Sequence, residues 1–196
     1  MRMVMISALA GLVAAFPAAA QGVTRANPAA VAARPAAQGA ATARFNPQAP
    51  ENRLILPSFS YATVEPVLNS IGARFERVTQ AAARPVLRVI LPNNRRATLL
   101  FGSCNAAGAC KALVIQSTWA KPTGAADRTS QAVAAFNQRY SFTKATLLAD
   151  GRPALQRYLT ADYGFIRGDL AVNLLVFANQ ADRFTSEALL PLQAKK

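Results

Sequence analysis

VLRVILPNNRRATLLFGSCNAAGACKALVIQSTW, residues 86–119, holds three apolar-rich runs separated by two groups of turn-forming residues. Val86 to Leu91, Arg96 to Gly102 and Ala112 to Trp119 read as strands, joined by a turn at Pro92-Asn93-Asn94 and a hairpin loop at Asn105-Ala106-Ala107-Gly108. A fourth strand, Arg74 to Thr79, precedes them. Upstream of it, Val64, Val67, Leu68 and Ile71 fall at i, i+3, i+4, i+7, the stripe of an amphipathic helix. Thr63 is a capping residue for that helix, Pro66 suits its first turn, and Gly72 suits the position just past its end.

Downstream, Val133, Phe136, Asn137 and Tyr140 mark a second helix over Ser130 to Tyr140. Strands Phe142 to Ala149 and Ala154 to Ala161 flank Asp150-Gly151, a dipeptide that tolerates positive φ and so signals a hairpin. The longest helix runs from Asp169, a natural N-cap, to Ala188, with Leu170, Leu174, Phe177, Ala181 and Phe184 on its buried side. The order helix, four strands, helix, two strands, helix predicts an α+β fold, an antiparallel sheet with helices packed on it.

The chain divides into four parts. Over residues 1–20, Arg2 is followed by the apolar run Met3 to Phe16 and the small residues Ala18-Ala19-Ala20, the three-part pattern of a secretory signal cleaved after Ala20. The apolar run is shorter than the roughly 20 residues that span a bilayer. Residues 21–52 are rich in Ala, Pro, Gln and Arg and poor in large apolar residues, a composition that predicts a disordered leader. The domain follows over 53–190, and residues 191–196 form a short basic tail. No later segment is apolar enough to span a membrane, so the expected location is periplasmic or secreted.

Lys and Arg number 22 against 9 Asp and Glu, a net +13. Such a charge favours anionic partners, such as acidic lipid, lipopolysaccharide, nucleic acid or an acidic protein, or else marks a solvated surface. No Lys/Arg–aromatic alternation of an RNA-binding sheet is present, and nucleic acid is not the expected partner. The chain contains no histidine, which removes imidazole metal sites, Ser-His-Asp triads and Cys-His dyads together. No carboxylates pair by spacing as acid and base, and there is no glycine-rich phosphate loop or Gly-x-Ser-x-Gly elbow. Neither an enzyme, nor a metal, nor a cofactor is expected.

Cys104 and Cys110 are the only cysteines, at opposite ends of the proposed hairpin loop. Facing strand ends lie within disulfide range, and an exported chain leaves the reducing cytosol, so a structural disulfide is expected. A redox pair is the competing reading, but five residues separate the thiols rather than two. Asn137 and Asn173 each stand inside an apolar helical stripe. Either each amide bonds backbone of a neighbouring loop or strand end, or the two stand on a pocket wall.

The run Phe136-Asn137-Gln138-Arg139-Tyr140-Ser141-Phe142, followed by Asp150-Gly151 and Asp162, resembles the YbjN-type domain, a family labelled a bacterial sensory-transduction regulator. Gly164 or Gly168 and then Asn173-Leu174 resemble the closing part of that domain, and Cys104 and Cys110 resemble the paired cysteines of many members. The sequence departs from the pattern at Phe136, where tryptophan is common, and in a shortened spacing to Arg139. The resemblance implies a fold similar to type III secretion chaperones, no enzymatic activity, and Asn137, Arg139, Asp162 and Asn173 as structural or binding residues. The expected function is an exported binding or regulatory domain engaging a protein partner. The alternative is a basic protein binding an anionic envelope component, and the oligomeric state is left open.

Overall fold

Ser60, rather than Thr63, opens the first helix. The computed structural model describes residues 45–78, 84–123 and 126–193, and places α1 at Tyr61–Ser70. The Thr63 N–H donates to Ser60 Oγ at 3.2 Å, and the Ser60 N–H donates to Thr63 Oγ1 at 2.9 Å, a reciprocal capping box. Pro66 therefore lies in the helix interior and not in its first turn, where it removes one intrahelical bond. At the other end Gly72 takes φ +72°. The Gly72 and Ala73 N–H groups return to the Asn69 and Leu68 carbonyls, the paired bonds of a Schellman motif.

Eight strands follow one another among the described residues. β1 is Ile55–Leu56, β2 Arg74–Arg77, β3 Val86–Ile90, β4 Arg96–Cys104, β5 Cys110–Thr118, β6 Lys144–Leu147, β7 Pro153–Thr160 and β8 Phe165–Ile166. Six of them form one antiparallel sheet in the order β2-β3-β4-β5-β7-β6, and β1 pairs with β8 apart from it. The second helix, α2, covers Ala126–Arg139, beginning four residues earlier than the apolar stripe predicts. The last, α3, covers Arg167–Arg183 and runs through a π-helical turn at Phe184–Leu189 into α4, Leu190–Gln193. Asp169 is not its cap: Ile166 holds that position without a side-chain bond, and Asp169 lies in the first turn.

Side chains alternate across a strand, so the register sorts the sheet into two faces. Leu87, Val89, Ala97, Leu99, Phe101, Leu113, Ile115 and Leu155 are buried on one face, under α1 and α3. Val64, Val67 and Leu68 of α1 join Leu170, Leu174, Phe177 and Ala181 of α3 in the same core. The fold is α+β, with helices gathered on one side of an antiparallel sheet.

Ordered chain extends N-terminal to the expected domain start. Phe45 packs against the core, Pro50–Arg53 form a 3-10 turn, and Asn52 is buried. The cause is specific: Asn52 Nδ2 donates to the Asn46 carbonyl at 2.8 Å, and Arg167 donates to Asn52 Oδ1 at 3.0 Å. The expected signal peptide over 1–20, most of the leader, and the end of the basic tail lie outside the described residues.

Candidate functional site

The face of the sheet turned away from α1 and α3 is covered by no described helix. Its cross-strand neighbours form rows. Arg74, Ile90 and Arg96 make one row across β2, β3 and β4. Glu76, Arg88, Thr98, Gln116, Gln156 and Lys144 make the next, across all six strands. Val86, Leu100, Val114 and Tyr158 make an apolar row, and Gly102, Ala112 and Thr160 a row of small residues. The face thus grades from guanidinium groups through amides and hydroxyls to apolar side chains.

Curvature of the sheet makes a hollow of about 520 Å³ at the arginine end, lined by Arg74, Glu76, Arg88, Ile90, Arg96 and Thr98 among others. Arg88 donates to Glu76 at 3.2 Å, and both side chains are exposed. Arg74 and Arg96 make no ion pair among the described residues. Gln156 donates to Gln116 Oε1 at 3.2 Å, which fixes the middle row across β5 and β7. Tyr158 is 60% exposed at the far end.

The adjacent arginines Arg95 and Arg96 divide here. Arg95 turns toward α3, where its Nε donates to Asp182, while Asn93 Nδ2 donates to the same carboxylate at 2.7 Å. Arg96 faces the open side. Ion pairs hold Arg77, Arg88, Arg95, Arg139, Arg152, Arg167 and Arg183. Hydrogen bonding from Arg77 to the Glu65 carboxylate, at 2.6 and 2.8 Å, raises the guanidinium pKa above its ordinary value.

The four residues singled out from the sequence are not brought together. Asn137 is exposed rather than buried in the α2 stripe, and its amide binds both backbone groups of Ala145 on the edge strand β6. Arg139 donates to Glu187 at 3.2 Å, beside a Tyr140 hydroxyl that donates to the same carboxylate at 2.9 and 2.7 Å. Asp162 lies in the turn after β7, where its carbonyl accepts from Lys111 Nζ at 3.3 Å. Asn173 accepts from Arg157 Nε at 3.2 Å and donates to the Asp169 carbonyl at 2.7 Å. It also lines a groove of about 330 Å³ with Phe165 and Leu170.

Arg157 is not among the residues the sequence singles out. It lies on the helix side of β7, donating to the Phe142 carbonyl at 2.8 Å with its guanidinium 4.3 Å above the Phe142 ring. Its position one strand step from Leu155 and Leu159 was the available signal. Cys104 and Cys110 face each other across β4 and β5 and form a disulfide. Among the described residues no three acidic or cysteine side chains are grouped to hold a metal ion, and no helix is long and apolar enough to cross a membrane.

No curated protein sequence matches the chain. A crystal structure of an uncharacterized protein from Methanothermobacter thermautotrophicus is similar at 11% identity and a TM-score of 0.49, covering 69% of this chain and 97% of that one. The family model described as "YbjN: Putative bacterial sensory transduction regulator" matches residues 60–189, from the α1 cap through the π-helical turn. That span covers well over half of the sequence, and the chain belongs to the YbjN family.

Proposed function

We propose that the protein is an exported regulatory domain without catalytic activity, and that it engages a protein partner through the open face of its sheet. The observation that carries this reading is the grading of that face into an arginine row, a hydrogen-bonding row and an apolar row. Antiparallel sheets often leave one face to water, and such faces alternate toward polar residues. Here Leu100 and Val114 are only half-buried and Tyr158 is exposed, side by side in one row. Apolar surface beside a polar rim is the composition of a protein-binding patch. The family's description as a regulator supports the same reading, and names no reaction.

Export is supported by the sequence pattern ending at Ala20, and the Cys104–Cys110 disulfide fits an oxidising compartment. The test places a photo-crosslinking residue at Thr98 or Gln116 on the open face, and at Ala134 on the exposed side of α2. Expressed in the native host, the open-face variants are expected to capture a discrete protein, and the exported chain to begin at Gln21. Capture only at Ala134 overturns the docking face, and a full-length chain embedded in the membrane overturns the export.

A further inference from the structure

We infer that the segment received by the open face is acidic at one end and apolar at the other, with its carboxylates on Arg74 and Arg96. This rests on the docking face proposed above and adds the chemistry of its occupant. The register sets Arg74 and Arg96 on either side of Ile90, two strand spacings or about 10 Å apart at Cα. The apolar row begins four residues further along β3 and β4, about 13 Å away. An extended segment lying along the strands therefore meets cations and apolar side chains four residues apart.

Charge complementarity selects the anionic end. Of the nine acidic residues, Glu51, Glu65, Glu76, Asp150, Asp182 and Glu187 are in ion pairs. The other three, Asp127, Asp162 and Asp169, stand on α2, the turn after β7 and α3, none of them on this face. The described chain thus leaves Arg74 and Arg96 without a counter-ion, at the rim of a hollow a carboxylate can enter. Arginine presents a planar fork of donors that matches a carboxylate bidentately. A single-stranded nucleic acid stacks its bases on aromatic side chains, and the rows of this face hold one aromatic side chain, Tyr158, at the opposite end.

The experiment uses the mature, disulfide-bonded protein and short fluorescein-labelled peptides, read by anisotropy at low and high salt. One peptide carries two Glu residues four positions from two Leu; a second replaces Glu by Lys; a third replaces Leu by Ser. The first is expected to bind best. Arg74→Glu with Arg96→Glu should weaken it by about tenfold or more, since both charge-assisted hydrogen bonds are lost and replaced by repulsion. Tyr158→Ala should weaken the Glu/Leu peptide but not the Glu/Ser one. All three substituted side chains are exposed, so thermal unfolding of the variants should match the parent. An acidic peptide that binds no better than its Lys counterpart overturns the inference, as does tighter binding to duplex DNA or phosphatidylglycerol vesicles than to any peptide. Crosslinked capture at Thr98 that survives the double charge reversal overturns the acidic occupant while leaving the docking face standing. Absence of capture at Thr98 and Gln116 in the unaltered protein overturns both.

Discussion

Asn137 Nδ2 donates to the Ala145 carbonyl at 2.8 Å, and Asn137 Oδ1 accepts the Ala145 N–H at 2.8 Å. The side-chain amide thereby takes the place of a neighbouring strand at one position of β6, the last strand of the sheet. Exposed strand edges template pairing with other chains, and proteins cover them. Asn137→Leu should lose both bonds and leave the N–H and C=O of the buried Ala145 unpaired, at a cost of about 1–3 kcal/mol. Urea unfolding should show this loss, and light scattering should show concentration-dependent association absent from the parent. Full stability with no association would remove the edge-covering role.

Arg157 joins β7, the segment before β6 and α3 through Phe142 and Asn173. Lysine keeps the charge but has neither the planar surface that stacks on Phe142 nor the fork that reaches two acceptors. Arg157→Lys should therefore destabilise by about 1–2 kcal/mol, and Asn173→Ala in the Lys background should add less than it does alone. A double-mutant cycle in urea measures the difference. Strict additivity would show that Arg157 and Asn173 do not act through one another.

Gly168 lies where α3 passes the 3-10 turn: a Cβ there would come within 2.8 Å of the Asn52 carbonyl oxygen and 3.0 Å of Asn52 Cβ. Both contacts are with the segment that packs N-terminal to the expected domain boundary. Gly168→Ala should cost about 1–3 kcal/mol by overpacking. It should also speed proteolysis within residues 46–53, which a fragment map by mass spectrometry would read. An unchanged cleavage rate would mean that Asn52 is not held against α3.

Much of the fold was legible because it depends on periodicity. The helix–strand order follows from apolar spacing, and the hairpin turn at Asp150-Gly151 from a dipeptide whose glycine takes φ +80°. The α1 cap was misplaced because Ser60 and Thr63 are both capping residues, and each supplies half of one capping box. Asn137 shares a stripe with Val133 and Phe136, and its amide bonds strand backbone, one of the two outcomes its position implies; that it is exposed follows from the stripe's margin meeting a sheet edge. The open face was legible only in part. Its arginine row runs across the consecutive strands β2, β3 and β4, but the other rows are complete only once β7 lies beside β5, a long-range pairing that local spacing does not encode.

Asp150 closes the β6–β7 turn, accepting the Arg152 N–H at 3.0 Å and Arg152 Nε at 2.7 Å. These bonds, the backbone one first, hold its carboxyl below the ordinary aspartate range. A depressed folded pKa contributes stability that is present above the unfolded value, about 3.9, and is lost as pH falls through the folded value. Asp150→Asn should narrow the stability difference between neutral and strongly acidic pH, with the two proteins converging at the acid end. Urea midpoints across that range test it; parallel curves would exclude Asp150 as a contributor.

Cys110 is tied on two sides. It forms the disulfide with Cys104, and its backbone exchanges two hydrogen bonds of 2.8 Å with Phe59, just before the α1 cap. The loop between the cysteines is also closed locally, by Asn105 Oδ1 accepting the Ala107 and Ala109 N–H groups and by Gly108 at φ +75°. The covalent link is therefore not the sole determinant of the hairpin. Closing so short a loop contributes about 2 kcal/mol on the chain-entropy model. Reduction, or Cys104→Ser with Cys110→Ser, should lower the unfolding free energy by that amount, and the midpoint with it, while far- and near-ultraviolet circular dichroism stay native. The double-serine variant should respond to reductant not at all. Loss of near-ultraviolet signal on reduction would show instead that the Phe59–Cys110 pairing, and with it the seating of α1, is held by the disulfide alone.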